Sequence, residues 1–126
     1  KKRVMLVDDD PEALSLMERI LTDEGFDLIK VSNATEVGLK SAQLSPDLIL
    51  LDFLMPEING FEVCKALREN DQTRSTAIMA VTCLNKEQDI ERIFACGADE
   101  YLAKPFRMEQ LVEKVRQLIG RGRLVE

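Results

Sequence analysis

The sequence predicts an α/β domain in which helices cover both faces of a five-stranded parallel sheet, giving three layers. Three observations predict it. Apolar runs at 4–7, 48–51 and 77–81 are short and bounded by turn residues, as in strands buried on both faces. Between them, apolar residues recur at helical spacing, so strand and helix alternate five times. The chain has 126 residues, 45% of them hydrophobic, enough for one domain with a true core. Alternation alone does not give the strand order. An order of 2-1-3-4-5 would make the first and third strands neighbours and open a crevice at their carboxyl ends.

The first strand is Val4-Met5-Leu6-Val7. Asp10 then caps a helix and Pro11 fits its first position. Ala13, Met17, Ile20 and Leu21, with Leu14 less central, form its apolar face, and Gly25 ends it. Residues 26–31 read as a second strand, and Lys30 hints at an edge position. Asn33 and Glu36 resemble a capping box for a helix reaching about Leu44. Ser45-Pro46 breaks that helix and leads into the third strand, Leu48-Ile49-Leu50-Leu51. A loop over 55–60 follows, and then a helix carrying Phe61, Cys64 and Leu67. Residues 70–76 are polar and read as a loop before the fourth strand, 77–81. Asn85 and Gln88 look like the cap and third residue of the next helix. Its face is Ile90, Ile93 and Phe94, and Gly97 stops it. A short fifth strand ends near Ala103. The last helix carries Met108, Leu111, Val112, Val115, Leu118 and Ile119.

Composition excludes several classes. A net charge of −6 disfavours nucleic-acid binding, which rests on basic surface. No Trp and one Tyr leave no aromatic platform for single strands. No run is long enough to span a bilayer, and Lys1-Lys2-Arg3 leads straight into a strand with no secretory signal. Cys64, Cys83 and Cys96 form no C-x-x-C and the chain has no His, which argues against structural zinc. Reduced thiols in a cytoplasmic protein are the expectation.

The informative residues are polar ones at the ends of apolar runs. Asp8 and Asp9 follow the first strand, Asp52 the third, Thr82 the fourth and Lys104 the fifth. A parallel sheet would gather them at one edge. Clustered carboxylates repel unless they protonate or gain a cation, and magnesium suits one or two carboxylates plus phosphate oxygens. The plainer alternative is an Asp-rich helix start, which holds for Asp10. Asp52 alone could be a cap, a metal ligand or a nucleophile able to form an acyl phosphate. Thr82 is either a satisfied hydroxyl or a donor to a phosphoryl oxygen. Lys104 is either a solvated lysine or a point charge for phosphate, and Pro105 keeps it out of the helical region.

Four segments in order, VDDD at 7–10, LLDFLMPEINGFEV at 50–63, AVTC at 80–83 and GADEYLAKPF at 97–106, resemble the receiver domain of bacterial two-component response regulators. The resemblance covers residues 3–119 and is chemotaxis-receiver-like. It implies a flavodoxin-like three-layer sandwich with strand order 2-1-3-4-5, a receiver over 1–120, and a tail or linker start over 121–126. It implies that Asp52 accepts a phosphoryl group from a histidine kinase or histidine phosphotransfer protein. Asp9 and Asp52 would hold Mg2+ directly, Asp8 mainly through water, with the Leu54 carbonyl as a further ligand. Thr82 and Lys104 would bind the transferred group, and Tyr101 would act as switch aromatic, turning inward. The face of the fourth helix, fifth strand and fifth helix would then change toward an output domain, a target or a second copy. No catalysis beyond its own phosphoryl transfer and loss is implied, and no nucleic-acid or membrane contact. Related receivers often carry polar groups where this chain has Leu54 and Leu84, so slow self-dephosphorylation is expected.

Two other readings fit less well. A haloacid-dehalogenase-like phosphatase also uses an Asp after an apolar strand, but needs a second Asp two residues on, where Leu54 stands. A flavodoxin-like binding module without phosphoryl chemistry would have no use for the acids and Lys104.

Overall fold

A computed structural model describes residues 1–56 and 59–121. Glu57 and Ile58 of the expected 55–60 loop, and the expected tail beyond Arg121, lie outside the described residues. The elements run β1 (Arg3–Val7), α1 (Pro11–Asp23), β2 (Asp27–Val31), α2 (Val37–Leu44), β3 (Leu48–Leu51), α3 (Gly60–Glu69), β4 (Ala77–Thr82), α4 (Glu87–Ala95), β5 (Glu100–Ala103) and α5 (Met108–Arg121). The sheet is parallel throughout, in the order β2-β1-β3-β4-β5. The expected fold is the one observed.

Alternation along each strand divides the core into two. Val4, Leu6, Leu48, Leu50, Met79 and Val81 face α1 and α5. Met5, Val7, Ile49, Leu51, Ile78 and Ala80 face α2, α3 and α4. The central strands β3 and β4 are buried along their whole length, whereas edge strands β2 and β5 are mixed. This is why β3 and β4 read as continuous apolar runs.

Local chemistry sets most boundaries. The Asp10 carboxylate accepts from the Glu12 N–H with Pro11 at the first helical position, as expected. Asn59, which the sequence reading had only in a loop, caps α3 by accepting from the Phe61 N–H at 2.9 Å. Gly25 takes φ 93°, a region open to glycine without strain, just beyond α1.

Four expectations need correction. Leu14 is buried in the α1 face, and Ala13 is only half-buried. Asn33 caps a 3-10 turn, Ala34–Glu36, rather than α2 itself, and the Glu36 carboxylate pairs with Lys40 at 3.2 Å instead of closing a capping box. Lys86, not Asn85, occupies the α4 N-cap position, without a side-chain cap bond. On α4 only Ile93 is fully buried, with Ile90 half-buried and Phe94 exposed, and on α5 Met108 is exposed. The spacing of those residues is helical, but α4 turns a narrower stripe to the sheet than the spacing suggested.

Candidate functional site

Sheet order brings the polar strand ends together. Val7 of β1 pairs with Leu51 of β3, so the next residues, Asp8 and Asp52, leave the sheet side by side. The Asp52 N–H donates to the Val7 carbonyl at 3.0 Å, extending that pairing by one bond. On the other flank, the Lys104 N–H donates to the Thr82 carbonyl at 2.9 Å. All five expected residues therefore sit on one edge, where connections change sides between β1 and β3. Thr82 differs slightly from expectation, being the last residue of β4 rather than the first beyond it.

Lys104 ties the site together. Its ammonium donates to Asp8 Oδ2 at 2.6 Å and to Asp52 Oδ2 at 3.2 Å. Asp8 and Asp52 are buried, with 1% and 6% of their surfaces exposed, so one cation offsets two carboxylates that have little water. Burial alone would lower the Lys104 pKa. The hydrogen bond that Lys104 donates to Asp8 and the charges of Asp52 and Asp8 outweigh it, and the ammonium is held above its ordinary value.

The other carboxylate oxygens are spoken for by backbone. Asp8 Oδ1 accepts from the Asp10 N–H at 3.0 Å, and Asp52 Oδ1 accepts from the Leu54 N–H at 2.9 Å. These bonds fix both side chains before any ligand arrives. Asp9 is exposed and makes no side-chain hydrogen bond or ion pair with a described residue. One oxygen from each of Asp8, Asp9 and Asp52 lies within 4.8 Å of the others, close enough to share a small divalent cation. The donor set fits magnesium, a hard ion that takes oxygen ligands and keeps several waters.

Gly60 shapes the floor. A Cβ built there would press on the Phe53 Cα and lie 2.9 Å from the Asp52 carbonyl oxygen. Only glycine lets the start of α3 come this close to the chain at Asp52. The sequence reading passed over it, although Asn59-Gly60 between a strand and a helix was a visible turn signal.

Leu84 also does more than its side chain suggested. Its N–H donates to Thr82 Oγ at 3.3 Å, and its carbonyl accepts from the Tyr101 hydroxyl at 2.6 Å. Thr82 and Tyr101 are thus joined through the backbone of one residue, which no sequence pattern reveals. Tyr101 already lies partly inward, packed against the same cluster as Leu84 and Cys96. Burial, then the charges of Asp89 and Cys83, raise its pKa. An open groove of about 500 Å³ runs beside the site, lined in part by Leu54, Met55, Phe61, Leu84 and Arg92.

Comparison with known proteins agrees with this geometry. The sequence model of the family described as "Response regulator receiver domain" matches residues 4–116. The Escherichia coli transcriptional regulatory protein CpxR is 40% identical over 120 residues, covering 95% of this chain and 50% of CpxR. The Synechocystis DNA-binding dual master transcriptional regulator RpaA is 36% identical over 119 residues, covering 94% of this chain and 49% of RpaA. The chain thus spans about half the length of these curated relatives. Among solved structures, the receiver domain of the Pseudomonas aeruginosa sensor histidine kinase PA1611, described with a magnesium ion coordinated in its active site cleft, superposes with a TM-score of 0.87. It is 26% identical and covers 94% of this chain and 98% of its own. With that family match over most of its length and the acid cluster at the expected sheet edge, this chain belongs to the response regulator receiver domain family.

Proposed function

We propose that this receiver is switched by phosphorylation of Asp52. The donor is the phosphohistidine of a histidine kinase or a histidine phosphotransfer protein. One observation carries the reading: the Lys104 ammonium bridges the buried Asp8 and Asp52, with Asp9 exposed beside them. A cation and an acid cluster so placed can bind an anionic phosphoryl group and a metal together.

In the transfer, an Asp52 carboxylate oxygen forms a bond to phosphorus as the donor's nitrogen–phosphorus bond breaks. The imidazole nitrogen leaves with the bonding electrons. Asp9 and Asp52, with the Leu54 carbonyl, would hold magnesium directly. Asp8, with one oxygen on the Asp10 N–H and the other on Lys104, would act on the metal mainly through water. Magnesium, when bound, offsets charge on the transferring group. Lys104 moves from its carboxylates to the phosphoryl oxygens, and the Thr82 hydroxyl donates to one of them.

Recruiting Thr82 withdraws the acceptor from the Leu84 N–H. It thereby disturbs the Leu84–Tyr101 link and the face formed by α4, β5 and α5. That face is the output, toward an attached domain, a separate target or a second copy of the chain. Residues 1–120 make up the receiver, and 121–126 its tail or the start of a linker. No described helix is long and apolar enough to cross a membrane, and with a kinase as donor we place the chain in the cytoplasm. Names of relatives such as RpaA record DNA binding for those proteins. With a net charge of −6, this chain is not the part that touches DNA.

The test is exposure to a small acyl phosphate with magnesium, read by intact mass. The protein should gain one phosphoryl group and Asp52→Asn none. Full uptake by Asp52→Asn would move the chemistry to another residue.

A further inference from the structure

Beside Asp52, the β3–α3 segment and α4 meet through two rings and a guanidinium. Phe53, the residue after Asp52, is buried and packs edge-on against Phe61 of α3, with ring centroids 5.0 Å apart at 73°. Arg92 of α4 lays its guanidinium carbon over the Phe61 ring, 3.9 Å from the centroid. That guanidinium makes no hydrogen bond or ion pair with a described residue; its contact is the ring. Gly60 holds the start of α3 hard against Phe53, so the Phe61 ring and the Asp52 segment cannot relax separately. A mechanical path therefore runs from Asp52 through Phe53 and Phe61 to α4. It lies apart from the backbone link through Thr82, Leu84 and Tyr101.

We propose that Arg92 is a positioning residue that latches α4 to the Asp52 segment in the unphosphorylated arrangement. The inference rests on the function proposed above. In the structure, the Thr82 hydroxyl is held by the Leu84 N–H, and residues 83–86 lead directly into α4. A group at Asp52 that draws Thr82 away releases that segment and carries Arg92 off the ring. A contact made in only one of two states stabilises that state. By linkage, it opposes any ligand that favours the other.

The test uses beryllofluoride with magnesium as a phosphoryl mimic on the whole chain, with occupancy read by fluorine NMR. Arg92→Leu should lower the beryllofluoride midpoint by about threefold, the scale of an exposed cation–π contact. Arg92→Lys should fall between, because it keeps the charge but not the planar stack. In a Phe61→Leu background, Arg92→Leu should produce no further shift. Arg92 is exposed, so the fold should survive its loss, and urea unfolding checks this directly. An unchanged or raised midpoint in Arg92→Leu overturns the latch. So does a shift of equal size with and without the Phe61 ring, or a fall in stability with no shift in midpoint. If the unsubstituted protein takes up no beryllofluoride with magnesium, the proposed function falls and the latch falls with it.

Discussion

Lys104 is the residue whose removal tells most about the site at rest. Its ammonium compensates two buried carboxylates, and deleting it leaves them facing each other. Lys104→Met should cost about 3 kcal/mol of folding stability in chelator, because an uncompensated buried charge is expensive. Magnesium should restore part of that loss by supplying another cation to the same oxygens. Urea unfolding with and without magnesium checks both statements, and equal stability of the two proteins in chelator would contradict them. At Leu54 and Leu84 the prediction is kinetic. Leu54 is largely exposed and Leu84 lines the same groove, and neither side chain can orient or activate water. Loss of the phosphoryl group should therefore be slow, and Leu84→Glu should speed it severalfold when followed over time. Unchanged or slower loss in that variant would refute the idea. All five polar residues of the site were legible as strand-end residues because parallel strands deliver their carboxyl ends to one edge. The Leu84 bridge was not, because backbone groups carry no residue-specific signal.

Among the elements, the turn from β3 into α3 sets the tightest constraint. Gly60→Ala would force a methyl against Phe53 and the Asp52 carbonyl. The cost should be about 2 kcal/mol, as for overpacking in a close-packed region, and phosphoryl uptake should slow because the same backbone aims Asp52. Thermal unfolding together with an uptake time course tests it, and a variant equal to the parent in both would contradict the close approach. Helix starts were only partly legible. Asp10 and Pro11 act as read, since their signals are local and uncontested. The Asn33–Glu36 pattern failed because Lys40, one turn on, offers Glu36 an ionic partner. Asn85 failed because α4 begins two residues later. The α4 face was misjudged for another reason: spacing reports a helix but not how wide a stripe its neighbours cover. Here Ile93 alone is fully enclosed.

For the molecule as a whole, fold class agrees with expectation because β3 and β4 are buried on both faces of a covered sheet, and the strand order is the one that the family resemblance implied. The same enclosure predicts how stability responds to alkali. Burial raises the Cys64 thiol from 9.0 to about 11, with Arg68 opposing the shift. The unfolded chain therefore loses that proton first. The contribution is complete below pH 9 and declines as pH rises from 9 toward 11. Lys104, also raised in the folded state, loses its contribution in the same direction, beyond its ordinary 10.5. Urea midpoints should be flat just below pH 9 and fall above it. A rise in that range would contradict the burial of Cys64. What the whole molecule does with a phosphoryl group, however, begins at one carboxylate. The most direct test of that claim is to phosphorylate the protein with a small acyl phosphate and magnesium, reduce it with borohydride, and sequence the peptides by mass spectrometry. Borohydride turns an acyl phosphate carbon into an alcohol and so marks the residue that carried it. The mark should fall on Asp52 alone; a mark on Asp8 or Asp9, with Asp52 unmodified, would contradict the account.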